Sequence, residues 1–461
     1  MLFDSPVFLY VFLPLCLIVF YAFSRFRLLR YCPAVLLFFS VVFYAYWSIK
    51  YLAVIFASIA FNYWIAHRIE RGKNKKKILA WAIAANLAVL CYFKYFGFFV
   101  SSAAHLFSIG ISVKHQTLPL GISFYTFTQI AYLVEVYRRK IRPYQLHDYS
   151  LFTLFFPHLI AGPIIHYSNI GPQIQSLRRR LVNYSNLFYG IFFFAAGLFQ
   201  KTIIADFLSP IASQGFAQAS ALNAGNAWGT VLAFTFQLYF DFSGYSNMAL
   251  GLALLFNIRF PINFNSPYQA SSIIDFWRRW HITLSHFLRD YLYIPLGGNR
   301  AGVARTYVNI FITMLLGGLW HGAAWTYVFW GGYHGVLLIG NHLLRKTKIE
   351  VSFWPARAAT FLLVMYGWVF FKAADFTQAL QMTRALAGKN AAPGFAFISN
   401  SQSALIALIA GIAFFFPNVL WWKDKIRPSK RWGLVLAGMF VLSFLTLCKT
   451  KAPSVFLYWQ F

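Results

Sequence analysis

VFLYVFLPLCLIVFYAF, residues 7–23, is an unbroken apolar and aromatic run, and SRFRLLR, residues 24–30, brings Arg25, Arg27 and Arg30 directly after it. A lipid interior offers the backbone no hydrogen bonds, so such a run is stable there only as a helix, and about 20 residues span the hydrocarbon. The basic cluster follows the run and none precedes it, which marks a retained first helix and not a cleaved leader. The same alternation repeats outward along the chain. Of its 461 residues 59% are apolar and 11% charged, against roughly 25% charged in a soluble domain, so water is not its main solvent. Lys and Arg number 40 against 11 acids. In a soluble protein that excess would suggest nucleic acid. Here the basic residues sit between apolar runs, which is the positive-inside pattern of a membrane protein that also touches anionic lipid.

Apolar runs with basic punctuation imply about eleven or twelve crossings in one membrane domain covering residues 1–461. Placing 25–30, 68–77, 138–142, 178–180, 345–348 and 423–431 in the cytoplasm puts the N-terminus outside, and counting onward puts the tail 449–461 outside as well. Two segments do not fit a simple crossing. Residues 149–172, with Pro157, Gly162, Pro163 and Gly171, must enter and leave on one face as a re-entrant element. Residues 271–295 are too polar for lipid and too apolar for water. Cys16, Cys32, Cys91 and Cys448 have no paired spacing, so neither a disulfide framework nor a zinc site is expected.

Polar groups inside a membrane are costly and mark either function or a partnered network. They concentrate in QLYFDFSGYS (237–246), NFNSPY (263–268), DFWRRWHITLSHFLRDYLYIPLGGNR (275–300) and GGLWHGAAWTYVFWGGYHG (317–335). His321 is the leading candidate. Gly317, Gly318 and Gly322 allow close approach to it, and a neutral imidazole in a dry pocket can take a proton from an attacking hydroxyl. His281 follows Trp277, Arg278, Arg279 and Trp280, which could neutralise phosphates and stack on a planar ring, or anchor the segment at the interface. Asp241, Asp275 and Asp290 could orient a histidine or pair with the nearby arginines. Gln237, Asn299 and Trp320 complete the candidate substrate contacts, with Asp241 and Asp290. No metal ligands are assigned, because no HExxH or comparable spacing joins these residues. The terminal FLYWQF (456–461) is an interfacial aromatic anchor, or it brings the Tyr458 hydroxyl back to the site.

The strings PLGISFYTF (119–127), FFPHLIAGPI (155–164), QLYFDFSGYS, NFNSPY, DFWRRWHITLSHFLRDYLYIPLGGNR and GGLWHG resemble the membrane-bound O-acyltransferases, in the bacterial branch that serves alginate O-acetylation and teichoic acid D-alanylation. That resemblance implies an all-α ring of helices with re-entrant segments around a central funnel, with a core at about 118–343. It implies that His321 lies at the base of the funnel and that His281 fills the second motif position. It further implies a bacterial inner-membrane enzyme with no tightly bound cofactor. The donor would be a cytoplasmic acyl thioester, acetyl-CoA or an acyl carrier. An extracytoplasmic hydrolase-like partner of the SGNH type would place the acyl group, most simply acetyl, on an exopolysaccharide or peptidoglycan. By the same resemblance Tyr458 is a transient acyl acceptor and a catalytic residue with His321 and His281. The alternative from the residues alone is a transporter or flippase of a polysaccharide intermediate. A lipid-linked-sugar glycosyltransferase would want outer-loop acids, where only Asp4, Asp206 and Asp375 are placed.

Overall fold

The computed structural model describes residues 1–110, 117–143, 145–179, 182–300, 302–347, 349–390, 397–449 and 456–457. Every long element among them is a helix. Seven helices are long and apolar enough to cross a membrane: Phe8–Arg25, Leu29–Trp47, Ile49–Arg71, Lys75–Leu106, Tyr184–Ala217, Val303–His321 and Lys430–Lys449. An eighth follows if Asn400–Phe415 and Val419–Lys425, bent by 60° at their junction, count as one. The remaining apolar runs are also helical, but shorter or more polar. Ile122–Tyr137 is the clearest case, since every residue from Ile122 to Val136 is buried. It is solvated by protein on all sides, so its Gln129 and Glu135 need not meet lipid.

The described residues group into two compact units, one comprising Met1–Ala195 and Tyr245–Pro261, the other Ala196–Gly244 and Ile262–Leu457. In the first, the 7–23 run begins as a π-turn, Phe8–Phe12, before the α-helix Leu13–Arg25. Pro14, which has no backbone N–H to donate, follows directly on that π-turn. Asn62 and Asn86 join the Ile49–Arg71 and Lys75–Leu90 helices through paired amide bonds of 3.0 and 2.8 Å, polar glue of the kind that holds helices together in lipid.

The re-entrant expectation for 149–172 resolves into three short helices, Leu146–Leu154, Phe156–Leu159 and Tyr167–Ser176. The irregular backbone between them is buried in protein, the condition under which such backbone survives at membrane depth. His158 closes it by bonding the Phe152 carbonyl at 2.8 Å, and a side chain at Gly162 would collide with the His158 Cα at 2.4 Å. Glu135 accepts the Ser168 N–H and hydroxyl at 3.0 and 2.6 Å, holding the start of the last short helix. Burial pushes the Asp148 carboxyl up, but hydrogen bonds from His147 and Arg178 outweigh it and hold the carboxyl below its ordinary range.

In the second unit, Val303–His321 and Trp325–Leu344 form an antiparallel hairpin whose backbones meet at glycine. A Cβ on Gly331 would stand 2.4 Å from the Met314 carbonyl oxygen and 3.0 Å from the Gly318 Cα. Backbone cannot move aside as a flexible side chain can, so Gly331→Val should force the helices apart and cost about 1–3 kcal/mol. The expected result is a lowered unfolding midpoint in detergent together with reduced activity, because His321 ends the first helix of this pair. An unchanged midpoint would show that the hairpin is not held at this contact.

Candidate active site

The site lies within the second unit, where three separate pieces of chain converge. The first is the connection between two short helices, Ile273–Arg279 and Ile282–Leu288. Ser272 caps the first of these by accepting the Asp275 N–H at 3.1 Å. Between them His281 adopts a left-handed backbone, φ 41° and ψ 54°, which a non-glycine residue enters only at a cost. The neighbouring 263–265 segment holds it there: Asn265 N–H donates to the Arg279 carbonyl and Ile282 N–H to the Asn263 carbonyl, each at 2.9 Å.

The Asn263 side chain then fixes the ring. Its Oδ1 accepts the Thr283 N–H at 3.3 Å and the Thr283 hydroxyl at 3.0 Å, and the His281 Nδ1 lies 3.1 Å away. A backbone N–H can only donate, so the Asn263 atom facing it is oxygen, and Nδ1 must carry the proton. Nε2 is therefore the basic nitrogen of His281. Replacing Asn263 with leucine keeps the volume but leaves the His281 Nδ1–H and the Thr283 N–H without that acceptor. Turnover should fall by about tenfold or more and stability by about 1–3 kcal/mol. A turnover rate within twofold of wild type would remove Asn263 from the site.

The second piece is the tip of the hairpin. His321 is the last residue of Val303–His321, and Gly322 turns the chain in an extended conformation beneath the Tyr327 ring, from which an added Cβ would be 2.2 Å away. His321 is 1% exposed. Its ring is edge-on to Trp320 at 4.9 Å, Trp330 at 5.1 Å and Phe371 at 5.3 Å, and the His281 ring centroid is 6.4 Å away. The third piece is the Ala224–Leu255 helix, whose Phe242 packs edge-on to His281 at 4.8 Å. Two imidazoles thus share a compartment walled by aromatic rings, from which bulk water is excluded and in which a proton taken by one ring stays within the site.

The other sequence candidates separate. Trp320 belongs to the compartment wall. Trp280 is fully buried behind His281, against Phe264 at 5.1 Å and Trp368 at 4.9 Å, and supports it as core. Trp277 is half-buried and meets Trp330 at 5.9 Å. Arg279 pairs with Asp275 at 3.0 Å, and Arg278 is exposed. Asp290 pairs with Arg289 at 2.7 Å, and the exposed Asn299 lines a different cavity of about 590 Å³ with Arg289, His342 and Lys346. Gln237 and Asp241 are buried one turn apart on the helix that carries Phe242. Tyr458 lies outside the described residues. Among the described residues no three His, Cys, Asp or Glu side chains gather as metal ligands would.

Two groups escaped the sequence reading. His334, fully buried, has neither ring nitrogen hydrogen-bonded among the described residues and packs against Trp330 at 4.8 Å and Trp277 at 5.3 Å. Lys201 pairs with Asp241 at 3.0 Å and Asp206 at 2.6 Å, and Asp206 begins the Asp206–Ala217 helix. The signal for Lys201 was present, since a lone charge inside an apolar run calls for a buried partner.

The chain as a whole is similar to one family of membrane enzymes. Residues 36–374 match the family model described as the membrane-bound O-acyltransferase family. A peptidoglycan O-acetyltransferase of Helicobacter pylori is 41% identical over 423 residues, covering 85% of this chain and 80% of its own. The probable alginate O-acetylase AlgI of Azotobacter vinelandii is 45% identical over 396 residues, covering 84% and 78%. More distantly, a teichoic acid D-alanyltransferase of Streptococcus thermophilus is 31% identical over 242 residues, covering 50% and 58%. With its apolar helices, its converging histidines and these relatives, the chain belongs to the membrane-bound O-acyltransferase family and is a multi-pass membrane acyltransferase.

Proposed function

We propose that the protein takes an acyl group, acetyl in the simplest case, from a thioester at the cytoplasmic face of a bacterial inner membrane and relays it outward through Tyr458. The observation that carries this reading is the pairing of His281 and His321 in one dry aromatic compartment. His321 takes the Tyr458 phenol proton as the phenolate oxygen attacks the thioester carbonyl carbon. The tetrahedral intermediate collapses by breaking the carbon–sulfur bond, and the departing thiolate takes the proton back from the imidazolium. His281, whose Nε2 is its basic nitrogen, steadies the positive charge that His321 gains. The aryl ester left on Tyr458 is energetic enough to acylate the hydroxyl nucleophile of an extracytoplasmic hydrolase-like partner of the SGNH type. That partner carries the group to a cell-surface polysaccharide. The relatives' names support an acetyl group and a polysaccharide acceptor, either peptidoglycan or an exopolysaccharide such as alginate. No tightly bound cofactor enters the scheme, because the thioester, acetyl-CoA or an acyl carrier, is a substrate. Both termini lie outside in this reading.

Sidedness is its test. Inverted vesicles, which present the cytoplasmic face, should incorporate radiolabelled acetyl from an acetyl thioester into the protein. Right-side-out vesicles should not. Equal labelling of both, or of neither, would contradict the relay.

A further inference from the structure

The buried Lys201–Asp206–Asp241 cluster takes no part in the chemistry above, yet it reaches the end of the chain. Lys201 lies in a π-helical stretch, Gln200–Ala205, whose wider turn re-aims its side chains. The backbone there comes so close to the Ala224–Leu255 helix that a Cβ on Gly244 would stand 2.7 Å from the Gly197 carbonyl oxygen and 3.2 Å from the Lys201 nitrogen. That approach brings the Lys201 ammonium to 3.0 Å from Asp241 and 2.6 Å from Asp206. Lys201 engages one oxygen of the Asp241 carboxylate, and the other can take a further donor. The other Asp241 oxygen accepts one, the backbone N–H of Leu457, at 2.9 Å. Phe456, 1% exposed, packs on Phe242 at 6.3 Å, and Phe242 in turn lies against His281. A backbone N–H held by a buried carboxylate is a charge-assisted bond that fixes the chain itself, whatever side chains it carries.

We propose that Asp241, oriented by Lys201 and Asp206, is the dock for the C-terminal tail, and that it acts as a positioning residue for the acyl-carrying Tyr458, the next residue after Leu457. This rests on the relay reading above. Asp241 touches neither donor nor acyl group in this role; it supplies the anchor from which the phenol is presented to His321. Removing the anchor should therefore lower the rate of transfer to Tyr458 without changing the concentration of thioester needed for half-saturation.

Two variants separate docking from folding. Asp241→Leu removes the acceptor and leaves Lys201 its Asp206 partner. Leu457→Pro removes the N–H donor, along with the leucine side chain, and leaves the charged cluster intact. In full-length protein, hydrogen exchange of the tail amides should speed up in both, and labelling of Tyr458 from acetyl-CoA should slow by about 10- to 100-fold at unchanged KM. Asp241→Asn, which keeps a neutral acceptor, should recover part of both. Tail exchange and labelling at wild-type rates in Leu457→Pro would overturn the dock even if Asp241→Leu failed to fold. If exchange responds as expected but wild-type Tyr458 never becomes labelled, the tail docks here and the relay reading fails, taking the positioning role with it.

Discussion

Replacing His321 with glutamine should lower acyl transfer by about 10²- to 10⁴-fold while the protein remains folded and still binds its thioester. Glutamine keeps a polar side chain of similar reach among Trp320, Trp330 and Phe371, so packing survives, but its amide cannot accept a proton near neutral pH. The loss should fall on kcat and on kcat/KM equally, because proton transfer is an interaction made only in the transition state. His281, 6.4 Å away between ring centroids, should not substitute. Its Nδ1 is committed to Asn263, and its left-handed backbone is tied to the 263–265 segment. A loss on KM alone would assign His321 to donor binding. The comparison is made by steady-state transfer of radiolabelled acetyl, with size-exclusion and unfolding profiles as the check on folding.

Tyr458→Phe should bring covalent labelling down to background. The substitution removes one hydroxyl and nothing else, so whatever the ring contributes as an interfacial anchor is kept. The phenol matters because its ester is a better acyl donor than an alkyl ester, and a relay needs an intermediate that can still give up its cargo. Downstream, O-acetylation of the polymer should fall together with the label. If the label persisted on Tyr458→Phe protein, another residue would be the carrier and the tail would be only an anchor. Loss of polymer acetylation with full labelling would instead place Tyr458 at the handover to the partner.

The membrane character and the histidines of the site were legible because they are local properties. The run at 7–23 and the arginines after it declare a crossing without reference to any other segment. Gly317, Gly318 and Gly322 declare close backbone approach in the same way, and in the hairpin Gly318 meets Gly331. What could not be read was which distant residues meet. Asn263 and His281 are separated by a loop and a short helix, and no periodicity encodes their bond. Lys201 and Asp241 sit on different helices, and their meeting depends on a π-helical stretch that hydropathy cannot distinguish from an ordinary turn. The crossing count was likewise limited, because apolarity does not say whether a helix is solvated by lipid or by protein. Ile122–Tyr137 is apolar and buried all round, and falls outside the helices whose length and hydropathy alone mark them as spans. Arg279 and Asp290 each form an ion pair within their own segment, one of the two roles that their neighbours in sequence allow.

In the proposed relay His321 drives the acyl group onto Tyr458. Its most direct test is a single turnover of purified full-length protein with acetyl-CoA and no partner, quenched in acid and digested for mass spectrometry of the C-terminal peptide. The expected result is one acetyl group on Tyr458 in the wild type, removed by mild alkali and missing from His321→Gln. Acetyl on Tyr458 at the wild-type rate in His321→Gln, or an unmodified tyrosine in a wild-type protein that still consumes thioester, would contradict it.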